Sequence, residues 1–262
     1  MSVLDDIVAG VRIDMEERRG RVSLADVERA ALAATPAVSP LPRFRAPELA
    51  VTAEVKRRSP SKGDLAEIAD PAALAADYAE GGAAAISVLT ERRRFNGTLA
   101  DLDAVRARVS TPVLRKDFMI DEYQFFEARA HGADLVLLIV ASLSDGELSR
   151  FLALTAELGM TALVETHTAD EVDRALGVGA ELIGVNNRNL KTLDVDLATF
   201  APLSERIGDR AVRVAESGIL TPADAARVAA EGADVILVGE ALVRHGNPVA
   251  AVGDFVAAAA QH

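Results

Sequence analysis

The chain has 262 residues, half of them hydrophobic, and a formal net charge of −12 from 40 acidic against 28 basic side chains. That size suits one α/β barrel with a large core, and the acidic balance opposes a nucleic-acid or anionic-membrane surface, which needs a basic footprint. Cysteine is absent, which excludes disulfides, thiolate ligands and cysteine nucleophiles; His131, His167, His245 and His262 show no ligand spacing, so neither a metal site nor any other cofactor is expected.

Residues 1–20 alternate charge with apolar residues and form no signal-peptide core, and no run approaches the ~20 apolar residues of a bilayer span, so the chain reads as cytoplasmic. Residues 1–47 form a helical extension of two amphipathic helices followed by a proline-studded connector at 35–42. Ser23 is the expected N-cap of the second helix, with Asp26 completing a capping pair. From Val51 onward, β-rich runs alternate with alanine-rich helical stretches. The expected strands are 51–56, 84–89, 112–116, 135–140, 161–165, 182–186, 211–216 and 235–238.

An internal repeat supports this count of eight. Gly82-Ala83, Gly132-Ala133-Asp134, Gly179-Ala180-Glu181 and Gly232-Ala233-Asp234 each close a helix and open a strand, at a period of roughly 50 residues, or two βα units. An open doubly wound sheet would carry G-x-G-x-x-G after the first strand, whereas this turn reads Lys56-Arg57-Arg58-Ser59-Pro60-Ser61-Lys62-Gly63. The expected fold is α/β, a single-domain (β/α)8 TIM barrel with an N-terminal helical extension.

Barrel chemistry sits where strands end. The first strand closes with Glu54 and Lys56 on one face, the third with Lys116-Asp117-Phe118, and the fifth with Glu165. The sixth closes with Asn186-Asn187-Arg188 and the seventh with Glu216-Ser217-Gly218. Any one of these could simply be a strand meeting water, but five polar ends converging on one mouth point to a site. Only Lys56, Lys62, Lys116 and Lys191 among the 28 basic residues are lysines, and two of them close strands. An amine can be tuned as an acid or base where a guanidinium cannot, so these positions suggest a titratable group. Ser217-Gly218 and Gly239 offer unobstructed backbone N–H groups beside a helix that begins near Glu240, where barrels often bind phosphate. The Glu240 carboxylate must then turn away from the anion.

These residues resemble the indole-3-glycerol phosphate synthase family of tryptophan biosynthesis. The matching segments are Ala53-Glu54-Val55-Lys56-Arg57-Arg58-Ser59-Pro60-Ser61, Leu114-Arg115-Lys116-Asp117-Phe118, Val164-Glu165, Gly184-Val185-Asn186-Asn187-Arg188-Asn189-Leu190, Glu216-Ser217-Gly218-Ile219 and Val238-Gly239-Glu240. One departure is Phe95-Asn96-Gly97-Thr98, where serine is expected after the glycine. The resemblance implies a carboxy-lyase that closes the ring of 1-(2-carboxyphenylamino)-1-deoxyribulose 5-phosphate, releasing carbon dioxide and water. It implies Lys116 as general acid, Lys56 and Glu165 as the acid and base of dehydration in either order, and Glu54 holding Lys56. It further implies Asn186 orienting substrate hydroxyls, Arg188 engaging the anthranilate carboxylate or a loop, and Phe118 and Leu190 flanking the ring. Ser59, Ser217, Gly218, Gly239 and Glu240 would contact phosphate, with Glu216 also in the binding set.

Residues 1–47 are then expected to cover the mouth and exclude water, and a chain starting near Pro47 to stay folded. Lys56 and partial burial are expected to bring Lys116 toward neutrality. The implied partner is a small phosphorylated substrate, with no nucleic acid or membrane; contact with other tryptophan-pathway enzymes is left open. Phosphoribosylanthranilate isomerase, a related barrel, uses a cysteine base that this chain lacks. A non-catalytic phosphate sensor or scaffold would need the phosphate loops but not the paired lysines and glutamates.

Overall fold

The computed structural model describes residues 3–59, 63–65, 68–190 and 192–259; Pro60, Ser61, Lys62, Lys191 and His262 lie outside them. Eight parallel strands close into a barrel in sequential order. They are β1 (Ala50–Val55), β2 (Ala85–Leu89), β3 (Val113–Lys116), β4 (Leu135–Ile139), β5 (Thr161–Thr166), β6 (Leu182–Asn186), β7 (Val212–Glu216) and β8 (Val235–Val238). Each lies within about a residue of its expected bounds, the usual scatter of element ends.

Alternation along each strand divides the core in two. Val51, Ala53 and Val55, Val136 and Leu138, and Ile183 and Val185 face the helical shell. Ala50, Leu135, Leu137, Ile139, Leu163, Leu182, Val214 and Leu237 fill the barrel interior. The same alternation turns Glu54, Ser87, Lys116, Glu165, Asn186 and Glu216 inward near the strand ends.

The shell helices start where caps dictate. Asp70 accepts from Ala72 N and Ala73 N ahead of α4 (Pro71–Glu80), and Ser144 with Glu147 makes a capping box for α8 (Asp145–Glu157). The repeat glycines end them. Gly132 takes φ 79° after α7 (Glu122–Ala130), which lets Ala133 N donate to Ala128 O at 2.9 Å. Gly82, Gly179 and Gly232 make the same turn, as does Gly159 before β5, hidden from the repeat because methionine follows it. The short elements that were not legible include α3 (Leu41–Phe44), the hairpin of Arg58–Ser59 with Gly63–Asp64, α5 (Arg92–Phe95) and the helical turn Val140–Ser142.

The extension divides among three places, and only part of it reaches the mouth. Leu4, Ile7 and Val11 of α1 (Val3–Arg19) join the interior cluster. Val27 of α2 (Leu24–Ala33) packs with Met15 and Tyr123, on the flank along α7. Residues 35–47 run beneath the amino-terminal ends of the strands. There Val38 N donates to Asp134 at 2.8 Å, Arg45 pairs with Glu181 at 2.6 Å, and Phe44 is buried. The proline connector therefore underlies the barrel, because its neighbours in sequence must reach the start of β1. Among the described residues no helix is long and apolar enough to cross a membrane.

Candidate active site

Parallel register sets Glu54 beside Ser87, Leu89 beside Lys116, Ile139 beside Glu165 and Asn186 beside Glu216. The inward ends surround a cavity of about 1160 Å³ including its open mouth. Glu54, Lys56, Lys116, Glu165, Asn186 and Glu216 form its polar floor and wall. Ser59, Arg188, Ser217, Gly218, Gly239 and Glu240 border it on the loops, and Phe118 and Leu190 add apolar wall. The site residues that the resemblance implies thus meet at one cavity.

Lys116 Nζ donates to Glu216 Oε2 at 2.7 Å and lies 3.8 Å from Glu165 Oε2. Lys56 Nζ pairs with Glu54 Oε1 at 2.5 Å, and Ser87 Oγ donates to Glu54 Oε2 at 3.4 Å. Burial alone would lower Lys116, but Glu216, Glu165 and Glu54 outweigh it and hold the ammonium above its ordinary value. The expected drift toward neutrality is therefore corrected: three buried carboxylates dominate, not Lys56. Burial raises Glu54, yet Lys56 and Lys116 bring it below the usual range. Glu216, buried and beside Glu165, is pushed up to about 7 against the pull of Lys116. Glu165 goes the other way: His167, Lys116 and Asn186 overcome burial and hold it at about 2.

The loop side has a different character. Ser217 and Gly218 both take positive φ, 64° and 82°. A Cβ on Gly218 would press on Val195 and Leu197, so an aspartate there strains the fold as well as any phosphate contact. A Cβ on Gly239 would meet Glu54 and Lys56. The helix α12 (Glu240–Arg244) spans one turn, and Glu240, which borders the cavity, pairs with its own Arg244 at 3.0 Å.

Several contributors escaped the sequence reading. His167 follows Glu165 by two residues, so a period-two scan past the strand end would have found it; its Nε2 lies 3.3 Å from Glu165 Oε1. Phe95 stands against Phe118 with ring centroids 6.2 Å apart. At the departing Thr98, the hydroxyl caps α6 (Leu99–Arg108) by accepting from Asp101 N at 3.1 Å. Arg115, wholly buried on the outer face of β3, pairs with Asp117 at 2.9 Å and with Glu127 at 3.0 Å, and Glu127 in turn takes Arg18 of α1 at 2.7 Å. That network ties α1 to the Lys116-Asp117-Phe118 segment.

A closed eight-stranded parallel barrel with lysines and carboxylates gathered at one strand-end cavity is the architecture of a (β/α)8-barrel enzyme. Two solved structures share the fold. A 3-hexulose-6-phosphate synthase superposes with a TM-score of 0.64 at 20% identity, covering 80% of this chain and 99% of that one. The thiamine phosphate pyrophosphorylase from Pyrococcus furiosus gives 0.62 at 16% identity, covering 83% and 98%. Residues 4–255 match the family described as "Indole-3-glycerol phosphate synthase". Relatives carrying that name are similar along nearly their whole length. The one from Paenarthrobacter aurescens is 59% identical, covering 99% of this chain and 97% of the relative, and the one from a Nocardioides species is 61% identical, covering 96% and 97%. The chain belongs to the indole-3-glycerol phosphate synthase family, carboxy-lyases of tryptophan biosynthesis.

Proposed function

We propose that this chain closes the indole ring of 1-(2-carboxyphenylamino)-1-deoxyribulose 5-phosphate, giving indole-3-glycerol phosphate, carbon dioxide and water. The observation that carries the reading is the Lys116 ammonium, set within the cavity between Glu216 and Glu165. The ring carbon attacks the ketone carbon, and the carbonyl oxygen takes a proton from Lys116 as the new bond forms. A raised ammonium suffices, because an alkoxide holds its proton more tightly still, as the ~15.7 of water illustrates. The carboxylate then leaves as carbon dioxide and returns its electron pair to the ring.

Dehydration expels the new hydroxyl as water and removes a proton from the ring CH2 beside the nitrogen, which forms the carbon–carbon double bond of the five-membered ring. Glu165, ionised at neutral pH, suits the base, and Lys56 suits the acid, held by Glu54 at 2.5 Å. Asn186 would orient the substrate hydroxyls and Arg188 the anthranilate carboxylate. Ser59, Ser217, Gly218, Gly239 and the Glu240 backbone would receive the phosphate, and Phe118 with Leu190 the aromatic ring. Val3, Leu4 and Ile7 of α1 border the same cavity and would exclude water. The enzyme would work in the cytoplasm on a small phosphorylated substrate, without nucleic acid or membrane. Incubation with that substrate should release indole-3-glycerol phosphate and carbon dioxide in equal amounts; no turnover by the folded protein overturns the proposal.

A further inference from the structure

His167 lies just past the end of β5 and is not among the residues bordering the cavity. Its surroundings are nonetheless built. Nε2 lies 3.3 Å from Glu165 Oε1, and Nδ1 lies 3.1 Å from Glu171 Oε2, which also accepts from the His167 backbone N at 2.7 Å. Glu171 sits in the first turn of α9 (Ala169–Gly177), whose N-cap Thr168 accepts from Glu171 N. The side chain is only 11% exposed. Nδ1 is hydrogen-bonded to Glu171, whereas the buried Nε2 stands close to Glu165 without a hydrogen bond, and a ring set between two carboxylates is held as an imidazolium by their charge.

We propose that His167 is a positioning residue: an imidazolium clamped between Glu171 and Glu165 that aims the Glu165 carboxylate at Lys116 and Asn186. This rests on Glu165 being the base of the proposed reaction. The charged groups around the clamp are Glu165 on the same strand end, Glu171 on α9 and, across Glu165, Lys116 on β3. Burial alone would lower His167, yet Glu165 and Glu171 overcome it and raise the ring to about 10. Reciprocally, His167 contributes to the low value of Glu165. Without it, Glu165 keeps Lys116 but loses the positive charge beside its second oxygen, and burial then favours the protonated, inactive form.

The test begins with ¹⁵N-histidine labelling of the whole protein, without substrate, using His167→Gln to assign the ring. The His167 ring should remain an imidazolium through pH 8, and Glu171→Gln should lower its midpoint. A ring that is neutral at pH 7 overturns the clamp. In turnover, His167→Gln should leave KM near wild type, lower kcat about tenfold, and move the acidic limb of kcat up by about one pH unit, the lower end for losing an adjacent opposite charge. A wild-type pH profile in a folded His167→Gln protein also overturns it. Should that variant fail to fold, Glu171→Gln decides: it should show the same limb shift, smaller in size, and no shift refutes the clamp. The NMR titration needs no substrate, so failure of the proposed reaction and failure of the clamp remain distinguishable.

Discussion

Lys116 Nζ donates to Glu216 Oε2 at 2.7 Å across the barrel mouth, joining β3 to β7 through residues 100 positions apart. If Lys116 supplied only charge, Lys116→Arg would be mild, since a guanidinium keeps the positive charge beside Glu216 and Glu165. As the proton donor of ring closure it cannot be replaced by a guanidinium. Lys116→Arg is expected to fold, bind indole-3-glycerol phosphate, and lose at least about 100-fold in turnover, the lower end for a general acid. Near-wild-type kcat would return the role to Lys56.

Glu216 owes its place to an absence on the neighbouring strand. A Cβ at Gly184 would collide with Glu216 Oε1, the mobile end of a side chain, so Gly184→Ala should displace the carboxylate and leave the barrel intact. Its thermal midpoint should stay close to wild type while kcat/KM falls about 10- to 100-fold, the scale of a misplaced active-site group. Unchanged kinetics would show that the Lys116–Glu216 geometry is dispensable.

Stability should decline as pH rises through two windows. Glu216 is raised from 4.5 to about 7, so its contribution is complete below 4.5 and lost by pH 7. His167 is raised from 6.5 to about 10, so its contribution is complete below 6.5 and lost toward pH 10. Glu165, lowered from 4.5 to about 2, acts oppositely: its contribution is present above 4.5 and disappears as pH falls toward 2. Urea unfolding across pH should show Glu216→Gln removing the decline between 4.5 and 7, whose slope can reach about 1.4 kcal/mol per pH unit for one proton. Parallel curves for variant and wild type would contradict the assignment.

Truncation should separate the parts of the extension. A chain starting at Ser23 loses α1, including the buried Leu4, Ile7, Val11 and Met15, but keeps α2 and the segment beneath the barrel. It should fold with a lower thermal midpoint and reduced kcat/KM. A chain starting near Pro47 also loses Phe44, and each buried apolar side chain is worth about 1.5–3 kcal/mol, so it should be far less stable than the Ser23 truncate. Circular dichroism melts and turnover of both decide; full activity in the Ser23 truncate would remove the water-excluding role of α1.

The proposed proton transfers use only lysine and glutamate side chains of this chain. Turnover is therefore expected to survive exhaustive chelation and dialysis. Loss restored only by a divalent ion would contradict that chemistry.

The barrel and most of its site could be read from the sequence because both are periodic. Helix-closing glycines recur every two βα units, and alternation assigns each strand residue to the shell or the interior, so Glu54, Lys116, Glu165, Asn186 and Glu216 fall inward by counting. What counting does not contain is distance between strands. Whether Lys116 meets Lys56 or three carboxylates depends on barrel closure, and closure chose the carboxylates, reversing the expected direction of its pKa. His167 lay beyond the strand, where the chain bends toward α9 and periodicity stops. The extension had no repeat to place it: its helices are amphipathic in sequence, but only tertiary packing sent α1 to the mouth, α2 to the flank and Phe44 beneath the barrel. Local order follows from neighbours along the chain, whereas charge state and placement follow from neighbours in space.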